Sequence, residues 1–479
     1  MAAEGSATGV LLRPGTGCLC CGARRLGFDA TGITGDVAAD AAPSHWIMPP
    51  LANAHDHARG VRPTALAAFD LPLEMWLAVM TGSPVADPWL VVANALGRQA
   101  LSGCGAIMVH YTRPQDPSRV AAELRQVARA ARSIGVRVAI AVALRDINAL
   151  GYAPDAAVLA ALPAEVAAAV RARLLRAPAP PVEQIRLVED LAAELDDKLV
   201  DVQYGPYGLE WCSPELLRLV AERSALTGRR VHMHLLESPI QRAYLDAAWP
   251  QGPLRFLDEI GLLSPRLSIA HGVHLRPAEI ALLAARGVAV SIDTSSNLNL
   301  RNGLAPAAAM HRAGLRLVTG LDGFSVDDDD DALREMRLNW MLHRGSGLQE
   351  GWPLPAIIEA STVAGREVLG GGRDAVPLAP GAAADLLVLH RDAADLLLPA
   401  DESALLAQRA TRGHVRRLVV AGREVVRDGR LTGLDLDAAR AELDAQVRVG
   451  APDAAAWRAV SLRYAAGLRA FYAAGLQHR

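Results

Sequence analysis

Lysine is almost absent from this chain: Lys198 stands alone among 49 basic side chains in 479 residues. Aromatic residues make up only 4%. No charge dominates, because 49 basic groups face 52 acidic ones, for a formal net charge of -3. That balance excludes a disordered polymer, which needs low hydrophobicity and high net charge. It also argues against a general nucleic-acid binder, which needs a basic surplus to neutralise phosphates. No stretch reaches the roughly 18 uninterrupted apolar residues of a membrane span. The first nine residues carry no basic segment ahead of an apolar run, so no secretory signal is expected. Five cysteines (Cys18, Cys20, Cys21, Cys104 and Cys212) are too sparse for a disulfide framework, and a cytoplasmic location is expected. The first three form a compact cluster, but no further cysteine pair at zinc-site spacing joins them, so a second, structural metal is not expected.

What is present is apolar substance, 51% of the chain, enough for a large core. Length alone suggests about three domains of ~150 residues, although an α/β barrel uses about 250 residues as one. Short apolar runs at 46–51, 106–111, 136–144, 199–204, 231–235, 267–270, 288–292 and 315–321 predict eight strands. Helical patterns separate them, for example at 120–133, 214–227 and 277–286. This alternation predicts an α/β fold, a (β/α)8 TIM-like barrel over residues 51–375. An open doubly wound sheet is the alternative, but the G-x-G-x-x-G loop after a first strand is missing. Short strands with turns before residue 50, and again at 384–390, 415–421 and 423–427, predict a small β-sandwich domain built from both ends, residues 1–50 and 376–432. Residues 433–479 read as a helical appendage broken at Gly450 and Pro452.

In such a barrel the reactive groups sit at the C-terminal strand ends. His55 and His57 lie two apart, and in an extended strand they share a face while Asp56 turns toward the helix layer. Two adjacent imidazoles suit Zn2+ or Fe2+; two ordinary polar histidines are the alternative. His232, His234 and Glu237 close the fifth strand, where Glu237 either reaches a metal-held water or caps the next helix. His271 and His274 close the sixth, and Asp322-Gly323 closes the eighth, where a simple turn is the alternative. Each signal alone is moderate; their joint placement at strand ends one, five, six and eight is far more specific.

These motifs resemble the amidohydrolase superfamily, in particular its mononuclear-metal branch of cytosine-deaminase-like and atrazine-chlorohydrolase-like enzymes. The resemblance rests on H-x-H (His55, His57), H-x-x-E (His234, Glu237), A-H-x-x-H-L (residues 270–275) and D-G (Asp322, Gly323). It is extended by Ser296-Asn297-Leu298, by L-x-x-W-L at residues 73–77, and by Pro380-Gly381 with Ala384-Asp385-Leu386 and the Gly422 hairpin, and it covers about residues 8 to 430. It implies one divalent metal ion, Zn2+ or Fe2+, held by His55, His57, His234 and Asp322. It further implies Glu237 as proton shuttle, His271 as the group that polarises the centre under attack, and Asp322 as a proton acceptor as well as a ligand. His232 then reads as packing or support behind the ligands, and His274 as structural. Trp76, His110, Arg145, Tyr204 and Asn297 are the candidate substrate contacts, with salt-bridged loop residues as the alternative at strand ends two and three. Gly320-Leu321 departs from the glycine-threonine usual before the eighth-strand aspartate. The run of aspartates at 327–331 reads as a solvated loop leading into a helix.

The implied reaction is hydrolytic deamination of an amino-substituted nitrogen heterocycle by a metal-activated water. Removal of chloride, or opening of a cyclic amide or imidate, is the close alternative; an inert metal-binding scaffold is the alternative of another class. A binuclear site bridged by a carbamylated lysine is disfavoured, because Lys198 precedes the fourth strand and lies roughly 16 Å from its far end at ~3.3 Å per residue. The expected partners are a small-molecule substrate and a second copy of the chain in a homo-oligomer, with a dimer foremost; no nucleic acid and no membrane is expected.

Overall fold

The structure, a computed structural model, describes residues 5–39, 43–372 and 376–477. Eight parallel strands form the barrel: Leu51–Asn53, Cys104–Tyr111, Arg137–Leu144, Val200–Pro206, Val231–Leu235, Leu267–His271, Ala289–Ile292 and Arg316–Thr319, each bonded to the next in that order. Between the eighth and the first, the Ala54 N–H donates to the Thr319 carbonyl at 2.8 Å. The chain is therefore the expected α/β protein with a (β/α)8 barrel.

Strand parity explains the two layers. In the fifth strand Val231, Met233 and Leu235 join the large core that contains Leu216, Leu217 and Val220 of the helix Pro214–Thr227. His232 and His234 take the opposite face, into the barrel. Small residues (Ala52, Ala54, Ala106, Ala139, Ala141 and Ala289) with Met108 and Val318 make a separate cluster that fills the barrel's interior. Three helix starts are fixed by side-chain caps: Asp87, Ser213 and Ser238 each accept a backbone N–H ahead of a proline in the first turn.

The run expected as one strand at 46–51 is two. His45–Met48 belongs to the small sheet, and Leu51–Asn53 begins the barrel. Pro49 and Pro50 separate them, since neither can donate to a ladder. Both chain ends build the small sheet, in the order Arg430–Leu431, Arg423–Arg427, Val415–Val420, Leu386–His390, His45–Met48, Gly5–Leu12, Cys20–Phe28, Ile33–Ala38. It runs as one continuous eight-stranded sheet over its own core of Leu11, Leu26, Phe28, Ile47, Leu386 and Val388.

The expected break at Gly450 and Pro452 does not occur. One helix of 42 residues, Leu436–Gln477, runs through Pro452. The proline forfeits a helix hydrogen bond, but the segments on both sides of it are held by tertiary contacts. Ala439 and Leu443 pack on Ala86 and Leu90. Trp457, Tyr464, Leu468 and Tyr472 pack on Leu73, Met75, Tyr152 and Leu162. The Tyr464 hydroxyl donates to the Leu150 carbonyl at 2.5 Å, and the Tyr472 hydroxyl accepts from the Tyr152 N–H at 2.9 Å. This helix thus ties down loops that follow the first and third barrel strands. Among the described residues no helix is long and apolar enough to cross a membrane.

The aspartate run is also not simply solvated. Asp328, Asp330 and Asp331 are only 5%, 3% and 2% exposed. Asp328 accepts from the Thr64 N–H at 3.2 Å, Asp330 pairs with Arg98 at 2.8 Å, and Asp331 caps the helix Ala332–His343. Arginine, hydroxyl and backbone donors face these carboxylates, but burial still raises Asp328 and Asp331 above the ordinary carboxylate value.

Asp385 rivets the small sheet to the barrel. It is 6% exposed and accepts from Arg137 at 2.9 and 3.0 Å, from Arg366 at 2.9 Å and from the Ala421 N–H at 2.6 Å. Burial alone would raise its carboxyl, but the Arg137 and Arg366 charges outweigh it and hold the pKa below the ordinary value. The depressed pKa contributes stability above the unfolded-state value, and that stability is lost as pH falls through the folded-state value. Asp385→Ala is expected to cost about 3 kcal/mol, because two half-buried guanidinium groups lose the buried carboxylate they share. Chemical denaturation at neutral pH measures the loss, and the gap between parent and variant should narrow in acid.

Candidate metal centre and active site

The first barrel strand ends at Asn53, so His55 and His57 do not alternate on a regular strand as the spacing suggested. They lie in an irregular segment that turns at Ala58, with φ of 51°. The rings still converge, with centres 5.0 Å apart. His55 Nε2 lies 3.4 Å and His57 Nε2 3.0 Å from Asp322 Oδ1, and His234 Nε2 lies 3.4 Å from His57 Nε2. Asp56 turns away and accepts from Asn53 Nδ2 and from the Ala58 and Gly323 N–H groups.

Hydrogen bonds behind the rings decide which nitrogen faces inward. His57 Nδ1 lies 2.7 Å from the His110 carbonyl, and His234 Nδ1 lies 2.5 Å from the Tyr207 carbonyl. A carbonyl only accepts, so both Nδ1 atoms carry the proton and both Nε2 atoms present a lone pair. His55 Nδ1 meets His232 Nε2 at 2.8 Å, and His232 Nδ1 meets Ser268 Oγ at 2.8 Å. A proton on His55 Nδ1, donated to His232, leaves the third Nε2 lone pair aimed at the same point. His55 Nε2 and Asp322 Oδ1 are buried without a hydrogen-bond partner. Three imidazole lone pairs and a carboxylate oxygen, each backed by a partner on its other side, fit one divalent cation.

Burial, with the neighbouring histidines as a smaller cause, pushes His55 and His234 well below the usual histidine range; burial and then Arg59 lower His57. For Asp322 burial acts upward, yet the His55 and His57 imidazoles beside its Oδ1 hold it well below its ordinary value. Neutral imidazoles with an ionised carboxylate are the protonation states a metal requires. Ser296 Oγ donates to Asp322 Oδ2 at 2.5 Å, and Arg59 donates to the Asp322 carbonyl.

Glu237 and His271 stand beside this set. Glu237 Oε2 lies 3.4 Å from His271 Nε2, and Glu237 Oε1 accepts from Asn302 Nδ2 at 2.9 Å. Burial and then the Asp322 and Glu74 charges push the Glu237 carboxyl well above the usual range. His271 Nδ1 donates to Asn297 Oδ1 at 3.1 Å, and burial lowers the ring's pKa to about 4. The backbone is left-handed at Leu236 (φ 55°), His271 (φ 75°) and Asp322 (φ 57°), a costly conformation for residues with side chains. Gly320 is required by crowding: a Cβ there would come within 2.2 Å of Asp293 Oδ1 and 2.9 Å of His55 Cβ.

The candidate substrate contacts divide. Arg145 lies at the mouth, its guanidinium 5.0 Å over the Tyr207 ring. Asn297 sits behind His271, with its Nδ2 buried and unpartnered. His110 is fully buried, donates from Nε2 to the Gly205 carbonyl at 3.0 Å and stacks on His234 at 4.8 Å. Trp76 is 2% exposed, donates to the Ala68 carbonyl and stacks on Phe324, so it supports the wall from behind. Tyr204 does not face the site. Its hydroxyl donates to Glu189 on the helix Pro181–Leu195, and it packs outside the barrel with Val200 and Val202. Tyr207, three residues on, faces the histidines instead, 6.0 Å from the His110 ring.

Sequence reasoning also passed over Asp293, Asn302 and Arg59. Asp293 accepts from the His271 N–H at 3.1 Å and from Ser291 Oγ at 2.7 Å. Its signal was available: an aspartate directly after the seventh strand, at the depth of the other site residues. Lys198 lies at the opposite end, where its carbonyl accepts from Arg137 at the start of the third strand.

Comparison with known proteins finds relatives in sequence and in fold. The chain is 27% identical over 398 residues to 5'-deoxyadenosine deaminase of Methanothermobacter thermautotrophicus, covering 81% of this chain and 84% of that one. It is 34% identical over 258 residues to 5-methylthioadenosine/S-adenosylhomocysteine deaminase of Natronomonas pharaonis, over 53% of this chain and 59% of the relative. The fold matches a zinc-bound adenosine deaminase from Xanthomonas campestris with TM-score 0.76 and 22% identity, over 93% of this chain and 98% of the other. It also matches a variant atrazine chlorohydrolase TrzN from Arthrobacter aurescens, complexed with zinc and atraton, with TM-score 0.77 and 19% identity, over 92% and 99%. Residues 46–425 match the Amidohydrolase family throughout, and the chain belongs to that family.

Proposed function

We propose that this protein is a metal-dependent hydrolytic deaminase of an amino-substituted nitrogen heterocycle, with adenosine-type nucleosides as the substrate class to test first. The observation that carries it is the convergence of His55 Nε2 and His57 Nε2 on Asp322 Oδ1, at 3.4 and 3.0 Å, with Glu237 and His271 directly beside them. Relatives named as deaminases of 5'-deoxyadenosine and 5-methylthioadenosine support the substrate class. His55, His57, His234 and Asp322 would hold one ion, and the zinc bound by proteins of the same fold supports Zn2+ over Fe2+. A divalent ion held there lowers the pKa of a bound water from 15.7 toward ~7.

This chain's own groups do the rest. Asn302 anchors one oxygen of Glu237 and leaves the other turned toward His271. From there Glu237 takes a proton from the attacking water and hands it to a ring nitrogen of the substrate. Asn297 holds the proton of His271 on Nδ1, so its Nε2 stays available to orient the water and the group under attack. Asp322, with Ser296 on its outer oxygen, accepts the proton that must pass to the departing ammonia.

Two substitutions separate these roles. Glu237→Gln is expected to keep the metal and lower kcat by about 10²–10⁴-fold, the contribution of general acid–base transfer. Ammonia release from a panel of aminopurines, pterins, pyrimidines and triazines, with metal analysis of both proteins, checks it; ring products without ammonia would contradict deamination. His232→Ala removes the group behind His55 and is expected to weaken Zn2+ binding by about 10–100-fold. Competition with a chromophoric chelator measures that change.

A further inference from the structure

A buried polar chain lies behind Glu237 that the chemistry above does not use. The Glu237 N–H donates to Gln241 Oε1 at 2.5 Å. The amide of Gln241 then has its Nε2 directed away, and that nitrogen donates to Glu210 Oε1 at 2.6 Å. Glu210 comes from the loop after the fourth barrel strand, and Gln241 from the first turn of the helix Pro239–Ala248 after the fifth. Both are buried, at 0% and 1% exposed. Glu210 has no ion pair among the described residues, and its Oε2 is buried without a partner. Its one side-chain hydrogen bond is spent on the orientation of Gln241. A second brace starts from Glu74, which accepts from Ser238 Oγ; that oxygen in turn accepts the Gln241 N–H at 3.0 Å.

We infer that Glu210 is a positioning residue for Glu237, acting through the Gln241 amide. The reading rests on Glu237 as the proton carrier. The direction in which the Glu237 side chain leaves the backbone follows from the left-handed Leu236 before it. Nothing in that conformation is self-sustaining for a leucine, so the adjoining peptide needs an external partner. Gln241 supplies it only in one amide orientation, and the Glu210 acceptor selects that orientation over its flip. Burial pushes the carboxyl's pKa up to about 7, and Oε1 accepts the Gln241 side-chain N–H in either protonation state. Geometry rather than charge is then what Glu210 contributes, and an amide of the same shape can replace it.

The test uses the full zinc-loaded chain as parent, E210A, E210Q and Q241A, with 5'-deoxyadenosine as probe and ammonia release as readout. E210A and Q241A are expected to lose about 10–100-fold in kcat with KM within about 3-fold, the cost of a small misplacement of a reacting group. E210Q keeps an acceptor oxygen and is expected to recover to within about 3-fold of the parent. Hydrogen exchange at the Glu237 amide, which needs no substrate, should be faster in E210A and Q241A and unchanged in E210Q. Parental kcat and parental exchange in both alanine variants overturn the inference. So does a KM rise at constant kcat, which would make Glu210 a substrate contact, or equal impairment of E210Q and E210A. If the parent does not deaminate the probe, the substrate reading fails, and the exchange arm alone decides the positioning role.

Discussion

Two backbone carbonyls control this centre. The carbonyls of His110 and Tyr207 each take the Nδ1 proton of an imidazole, at 2.7 and 2.5 Å, and so turn the Nε2 lone pairs of His57 and His234 inward. The His55–His232–Ser268 chain does the same for the third ring. A parallel barrel makes this possible, because residues far apart in sequence end their strands at one rim and expose loop carbonyls there. Asp322 meets the rings from the eighth strand, where Gly320 leaves space that any side chain would fill. The proposed chemistry depends on that convergence, since Glu237 and His271 matter only relative to a water held there.

The arrangement is costly, and its surroundings offset the cost. Six imidazoles, those of His55, His57, His110, His232, His234 and His271, crowd together with neighbouring ring centres 4.8–6.4 Å apart. Burial keeps them neutral, which avoids mutual repulsion. Left-handed backbone at His271 and Asp322 adds strain that only a rigid frame sustains. The frame is rigid from two sides. Asp385 joins the small sheet to the barrel wall, and the C-terminal helix clamps the loops over the mouth through Trp457, Tyr464 and Tyr472.

Much of this was legible in the sequence, for a physical reason. Barrel strands are short apolar runs, and 231–235 and 137–144 appear in the structure nearly as their hydrophobicity outlines them. Histidines and carboxylates at the ends of such runs stand out because buried polar groups are rare there. Face and loop geometry were less accessible. Its place at a strand end suggests Tyr204 for the mouth, but strand parity turns it away: Val200, Val202 and Tyr204 form the apolar outward face, while Asp201, Gln203 and Gly205 face inward. Tyr207, Asn302 and Glu210 lie in loops whose course depends on tertiary contacts, so no periodicity marks them. Local propensity predicts a break at Pro452; packing on both sides of it overrides the local term.

The most direct test is X-ray absorption at the zinc edge on the Zn2+-loaded full chain. Three imidazole nitrogens with carboxylate or water oxygen, all at about 2.0–2.2 Å, are the result this account predicts. Sulfur neighbours at about 2.3 Å, or a chain that retains no zinc after loading, would contradict it.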